Sequence, residues 1–120
     1  MQKMIVKKPW GTYEVLLDEP NYKVKRIVVL PYERFSLQYH KHREEHWVVV
    51  EGDGIVQVNE KEYPAYVRTH WVILPTQKHR ATAGPNGLVF IETQTGDCYE
   101  EDIVRLEDDY GRLDSSEVSV

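Results

Sequence analysis

The stretch that decides the fold and the chemistry of this chain is Phe35-Ser-Leu-Gln-Tyr-His-Lys-His-Arg-Glu-Glu-His-Trp-Val-Val-Val-Glu-Gly52. It holds three of the five histidines, followed by an apolar run that ends at a glycine. Successive side chains of an extended strand point to opposite faces, so the spacing predicts Gln38, His40 and His42 on one face. Imidazole nitrogens that converge with a carboxylate are typical of a divalent metal site. The pattern also fits a charged, solvated loop, and the residues alone leave both interpretations open.

Length and composition narrow the class of protein. The 120 residues predict a single domain over 1–120, and the net charge of −5 without a basic stripe argues against a nucleic-acid partner. The one cysteine, Cys98, excludes an internal disulfide and fits a reducing compartment. No apolar run is long enough for a signal peptide or for the roughly 20 residues of a membrane span. We therefore expect a cytoplasmic protein without a membrane partner.

Strand signals dominate the chain. Runs of β-branched and aromatic residues, separated by turns rich in Pro, Gly and Asn, predict nine short strands. These lie at 12–17, 22–30, 35–40, 47–51, 55–58, 62–67, 71–74, 79–83 and 88–94. Many short strands of this kind indicate an all-β barrel or sandwich. Residues 100–109 predict a short C-terminal helical turn, and residues 113–120 a flexible tail.

The central stretch resembles the first half of the cupin motif, G-x5-H-x-H-x3–4-E-x6-G. More closely, it is similar to the L-Q-x-H-x-H-R-x-E-H-W-x-V-V-x-G signature of type II mannose-6-phosphate isomerases, cupins that often form the C-terminal part of bifunctional mannose-1-phosphate guanylyltransferases. Three further segments match that family in the same order: 8–14, 22–27 and 101–112. The resemblance covers almost all of residues 8–112. It implies an all-β, cupin-type double-stranded β-helix barrel (a jelly roll).

The resemblance also implies a divalent metal cofactor, Zn²⁺, Mn²⁺, Fe²⁺ or Co²⁺. The implied ligands are Gln38, His40, Glu45 and His79, with His42 as an alternate. The chain departs from the cupin motifs at Tyr32 and Gln77, where glycine is usual, and at Ala83, where asparagine is usual. Pro75 precedes the last implied ligand by four residues, one fewer than in the second cupin motif.

The activity that the resemblance implies is interconversion of mannose 6-phosphate and fructose 6-phosphate. This reaction moves a proton between C1 and C2, so it needs a Lewis acid, a base and a cation for the phosphate. We expect His42 to be the base, because an imidazole titrates near neutral pH. Arg34 and Arg43 are the first candidates for the phosphate, with Arg34 also counted as catalytic. The further candidates for substrate binding are Lys25 and Arg105.

Two alternative functions remain open. One is a cupin epimerase acting on a nucleotide-linked hexose, and the other is a non-catalytic sugar- or metal-binding module that partners a separate nucleotidyltransferase. The chain contains no glycine-rich phosphate loop, so we do not expect it to make a nucleotide sugar by itself. Small cupins often dimerise, and residues 1–9 are expected to form an N-terminal arm that pairs with a neighbouring subunit in a homodimer.

Overall fold

Nine antiparallel strands form one strongly curled sheet in the computed structural model, which describes residues 4–112. The strands are β1 (Met4–Lys8), β2 (Gly11–Glu19), β3 (Tyr22–Val29), β4 (Leu37–Tyr39), β5 (Arg43–Val58), β6 (Lys61–Tyr66), β7 (His70–Ile73), β8 (His79–Gly96) and β9 (Val104–Glu107). The predicted all-β class is confirmed. Among the described residues, no helix has the length and apolar character needed to cross a membrane.

The two longest strands each join two of the predicted ones. The predicted strands 47–51 and 55–58 are parts of β5, and the strands 79–83 and 88–94 are parts of β8. The two long strands pair along their length, with register shifts on either side of Gly52. The residues around Gly52, between these two predicted strands, therefore form a bulge, which bends the strand without ending it. The pairing of β5 with β8 joins the part of the sheet that contains β6 and β7 to the part that contains β1–β4 and β9.

The prediction of a C-terminal helical turn is wrong. Residues 104–107 form β9, which pairs with β4 and places Arg105 opposite Gln38. A strand at the edge of a sheet has unpaired backbone groups, and pairing with β9 satisfies those of β4. This long-range pairing outweighs the local helix propensity of a segment whose apolar helical face is thin.

The N-terminal segment folds against its own chain. Residues 4–8 form β1, which pairs antiparallel with β2, so part of the predicted arm covers the edge of the sheet. Pairing with a neighbouring subunit stays a prediction. Residues 1–3 and the predicted tail 113–120 lie outside the described residues.

The interior of the barrel is apolar at one end and polar at the other. At the apolar end the rings of Trp10, Phe35, Trp47 and Phe90 form a continuous cluster, with centroids 4.5 to 5.8 Å apart between successive rings. Burial of such large rings is the main favourable contribution to folding. At the other end, the side chains of β3, β5 and β8 that point inward are charged or carry an amide group. These polar residues are Lys23, Lys25, Arg43, Glu45, Glu92 and Gln94.

The strand registers place these polar side chains at the same level of the barrel. Lys25 lies opposite Glu92, which in turn lies opposite Trp47 on the other neighbouring strand. Gln94 lies opposite both Lys23 and Glu45. Because inward side chains recur every second residue, three strands bring their polar residues together without any loop.

Gly52 allows β5 and β8 to approach closely at the bulge. Gly52 has φ +79°, and a Cβ there would lie 2.1 Å from the carbonyl oxygen of Gly87. Gly111 has a similar φ of +73°, but a Cβ there meets no atom within 4 Å among the described residues. A side chain at either position would meet a similar positive-φ penalty, but only at Gly52 would it also collide with another strand.

Gly52→Ala is expected to lower the free energy of unfolding by roughly 3–5 kcal/mol, the sum of a positive-φ penalty and a steric clash. Gly111→Ala is the matched control and should lose only about 1–2 kcal/mol, the positive-φ penalty alone. Urea denaturation followed by tryptophan fluorescence measures both values. Equal losses in the two variants would show that the close approach at Gly52 does not matter.

Candidate metal centre

Four of the sequence-predicted residues meet at the polar end of the barrel. Gln38 lies in β4 directly opposite His79 at the start of β8. Glu45 lies in β5, and His40 follows β4, where its carbonyl oxygen accepts a 2.7 Å hydrogen bond from the backbone N–H of Thr76. Each of the four side chains is at most 2% exposed.

The ligand atoms of two imidazoles and one carboxylate converge. His40 Nε2 lies 3.3 Å from Glu45 Oε2, and His79 Nε2 lies 3.7 Å from Glu45 Oε1. One ligand atom from each of His40, Glu45 and His79 lies within 4.8 Å of the others. We call these three residues the His/Glu cluster. Two imidazole nitrogens and a carboxylate oxygen suit the first-row divalent metals.

Backbone carbonyls fix the orientation of both imidazoles. His40 Nδ1 donates to the carbonyl of Asp102 at 2.5 Å, and His79 Nδ1 donates to the carbonyl of Gln77 at 2.9 Å. Since a carbonyl only accepts, each Nδ1 carries the proton and each Nε2 presents its lone pair to Glu45. His79 Nε2 is buried and has no hydrogen-bond partner among the described residues. Metal-binding histidines have this arrangement, so the residues fit a divalent ion.

Burial keeps both imidazoles neutral at physiological pH. It lowers the pKa of His79 to about 4 and the pKa of His40 well below its ordinary value. The nearby guanidinium of Arg43 lowers both further. A neutral imidazole is the form that binds a metal, so no proton has to leave first.

Gln38 is in place but its amide nitrogen faces the cluster. Its Oε1 accepts a 2.7 Å hydrogen bond from Ser36, and its Nε2 lies 3.4 Å from His40 Nε2. A 180° rotation of the amide would exchange the two atoms, and the Ser36 hydroxyl is able to accept from the amide in the exchanged form. Gln38 as a fourth ligand stays a prediction.

Arg43 lies inside the barrel, against the cluster. Its Nε and Nη2 both donate to Glu45 Oε2, at 2.9 and 2.8 Å, and Nη2 also donates to His40 Nε2 at 3.1 Å. Burial acts to lower the pKa of Arg43, but the carboxylates of Glu45 and Glu92 outweigh it and the pKa lies above its ordinary value. The guanidinium is therefore a permanent positive charge beside the cluster, and a metal at His40 would have to replace one of its hydrogen bonds.

A second layer of polar residues supports Glu45 and was missed in the sequence. Trp47 Nε1 donates to Glu45 Oε1 and to Glu92 Oε1, both at 3.0 Å, and Gln94 Nε2 donates to Glu92 Oε2 at 2.8 Å. Burial, then the nearby charge of Glu45, raises the pKa of Glu92 to about 8. A signal was available, because Glu92 and Gln94 continue the inward alternation of Leu88 and Phe90 in β8.

Residues 97–103, which we call the strap, cover the polar end of the barrel. The strap accepts hydrogen bonds from Arg43 at the carbonyl of Tyr99 and from Lys23 at the carbonyl of Cys98. The Asp102 carboxylate accepts from the backbone N–H groups of residues 41 and 42, both at 2.8 Å. The strap thereby encloses the His/Glu cluster, and its contacts span about 60 to 77 residues of sequence.

Lys25 lies under the strap and is fully buried. Its Nζ lies 3.0 Å from Glu100 Oε2 and 4.2 Å from the centre of the Tyr13 ring. Lys23 Nζ lies 2.8 Å from Glu100 Oε1. The residue predicted as a minor substrate contact is thus part of a buried ion pair.

The remaining predicted residues lie in other surroundings. β4 ends at Tyr39 and His42 is exposed, so the prediction that His42 shares a strand face with His40 is wrong. Arg34 pairs bidentately with Asp109 at 2.8 and 2.9 Å, and its side chain is 40% exposed. Arg105 is half-buried in β9. Their roles toward a substrate stay predictions.

Comparison with known proteins identifies the family of this chain. Residues 1–108 match the family described as mannose-6-phosphate isomerase C-terminal. A mannose-1-phosphate guanylyltransferase of Klebsiella pneumoniae is 37% identical over 108 residues, which cover 88% of this chain and 23% of that protein. The alginate biosynthesis protein AlgA of Pseudomonas aeruginosa is 41% identical over 109 residues, which cover 89% and 23%. The chain thus spans about a quarter of the length of the curated relatives it matches.

A solved structure supports the fold. An RmlC-like cupin from Shewanella frigidimarina superposes with a TM-score of 0.72 over 79% of this chain and 85% of that chain, at 21% sequence identity. Identity this low supports the fold alone. Because the family match extends over residues 1–108, this chain belongs to the mannose-6-phosphate isomerase C-terminal family.

Proposed function

We propose that this chain is a metal-dependent aldose–ketose isomerase that interconverts mannose 6-phosphate and fructose 6-phosphate. The observation that carries the proposal is the His/Glu cluster, in which two oriented, neutral imidazoles face a buried carboxylate. The family to which the chain belongs supports this choice of reaction. Zn²⁺, Mn²⁺, Fe²⁺ and Co²⁺ all suit the nitrogen and oxygen ligands.

When bound by His40, Glu45 and His79, a divalent ion would act as a Lewis acid toward the sugar oxygens at C1 and C2. The residues of the chain would prepare the site for this chemistry. Trp47 holds Glu45 by a hydrogen bond to Oε1, which leaves Oε2 to Arg43. Fixed orientation of this kind lowers the cost of reaching the reactive geometry.

Arg43 would stabilise the negative charge that develops on the sugar oxygens during proton transfer. Its guanidinium already lies against two members of the cluster and is fully buried. A charge fixed in a site without water is worth more than the same charge in solvent. This role differs from the phosphate contact that the sequence suggested for Arg43.

A non-catalytic sugar-binding module is the second candidate. It is favoured by the strap, which covers the cluster and leaves its side chains at most 2% exposed. An isomerase of this build has to open the strap in each turnover, whereas a binding module opens it only when a sugar enters or leaves. Turnover therefore separates the two candidates.

Chelation should abolish conversion of mannose 6-phosphate to fructose 6-phosphate, and Zn²⁺ or Mn²⁺ should restore it, because the Lewis acid lowers the barrier by several kcal/mol. A coupled assay for fructose 6-phosphate measures the rate, and nucleotide-linked mannose is incubated in parallel and its products are separated by chromatography. Sugar binding without turnover would contradict isomerase activity and favour the binding module. Turnover of the nucleotide-linked sugar alone would favour the epimerase.

Glu45→Ala should lose bound metal and at least a hundredfold in activity, because it removes the carboxylate from the cluster. Glu44→Ala is the matched control, since the adjacent side chain is half-exposed and pairs with His46 on the outer face of β5. Metal content is measured by elemental analysis after circular dichroism has verified folding. Equal metal content in the two variants would contradict the assignment of Glu45.

His42→Ala tests the sequence-based choice of base. Because His42 is exposed and lies outside the strand, we expect activity within a few-fold of the original protein. The exposed His46→Ala is the control. A loss of about 10²–10⁴-fold, the usual contribution of a general base, would restore His42 as the proton-transfer residue.

A further inference from the structure

The buried ion pair under the strap contains more positive charge than the carboxylate that faces it. Lys23 and Lys25 place both Nζ atoms within 3.0 Å of the Glu100 carboxylate. Lys25 is fully buried, and Lys23 is 8% exposed. Burial of an ammonium group is costly unless an anion pairs with it, so this position in the barrel requires a negative group.

The negative group that fills this position comes from the strap. Lys23 and Lys25 are carried by a regular strand in the sheet, whereas Glu100 lies in an irregular segment between β8 and β9. Tyr99, next to it, is 61% exposed. A segment held mainly by polar contacts opens more easily than a paired strand. The sheet therefore holds the two lysines in place, whereas their anion, Glu100, lies in a segment that opens more easily.

We propose that the Lys23–Lys25 pair is the site for the phosphate group of the substrate, and that Glu100 occupies it as an internal stand-in until the substrate arrives. This inference rests on the proposed function and names the part of the site that would recognise the phosphorylated end of the sugar. A phosphate monoester is a stronger partner than a carboxylate for two lysines, since it carries a charge of about −1.5 to −2 and three acceptor oxygens. Displacement of Glu100 would release the strap at the same time.

The lysine pair and the His/Glu cluster lie under the same cover. Arg43 connects them, because it donates to Glu45 on one side and to the carbonyl of Tyr99 in the strap on the other. The register also brings them together, with Lys25 opposite Glu92 and Glu92 bonded through Trp47 to Glu45. A single sugar phosphate would thus meet the lysines at one end and the cluster at the other.

Lys23 also borders a cavity of about 260 Å³ between the β2–β3 turn and the strap. Asp18, Glu19 and Asp97 line the same cavity. These acids repel an anion, so attraction for a phosphate at this end of the barrel has to come from the lysine pair. Because the acids oppose phosphate binding and the lysines favour it, loss of either lysine is expected to lower the affinity for a phosphate.

Binding measurements on two variants test the inference. Glu100→Gln removes the internal anion and should bind mannose 6-phosphate about tenfold more tightly by titration calorimetry, with the same trend for inorganic phosphate. Glu101→Gln, at the exposed neighbouring position, is the control and should bind as the original protein does. Non-phosphorylated mannose should bind both variants equally. Equal affinity of both variants for the phosphates would overturn the proposal.

The lysines are tested by a charge-balanced variant. Lys25→Met alone removes one partner of a buried ion pair and is expected to destabilise the fold. Lys25→Met together with Glu100→Met removes one charge of each sign. Compared with Glu100→Met alone, the double variant should lose tenfold or more in affinity for mannose 6-phosphate while binding mannose unchanged. An unchanged preference for the phosphorylated sugar would overturn the inference even if isomerase activity is present. Lysine-dependent phosphate binding without any turnover would instead support the inference and contradict the isomerase.

Discussion

The burial of charge inside the barrel is the constraint on which the rest of the structure depends. Arg43 and Lys25 have fully enclosed side chains, and each has a carboxylate within 3.0 Å. Removing one partner of a buried pair leaves an uncompensated charge that costs roughly 3–5 kcal/mol. The strands must therefore deliver acids and bases to the same level of the barrel, and a register slip by one residue would turn all of them outward.

The strand framework meets this requirement by dividing the interior. The aromatic rings around Phe35 and Phe90 fill one end and stabilise the fold. This stabilisation offsets the unfavourable free energy of burying polar groups at the other end. Trp47 lies at the boundary, with its ring against Phe90 and its N–H on Glu45 and Glu92. The same side chain thus joins the hydrophobic core to the candidate site.

Local patterns in the sequence predicted most strands, and the resemblance to the cupin motifs indicated the residues that meet in the His/Glu cluster. In β3, the alternating residues Lys23, Lys25 and Ile27 share the buried face, as period-two alternation requires. The failures have a common cause, which is pairing between distant parts of the chain. β9 replaces the predicted helical turn because it completes β4, and Glu100 meets lysines 75 and 77 residues away. No local pattern carries such contacts.

His42 shows the opposite error, in which a local pattern was extended too far. The period-two rule holds only while the chain remains a strand, and here the chain turns after Tyr39 so that the Asp102 carboxylate binds the backbone of residues 41 and 42. The same hydrogen bonds anchor the strap beside His40. The hydrogen bonds of Asp102 thus keep His42 away from the cluster and also hold the strap over it.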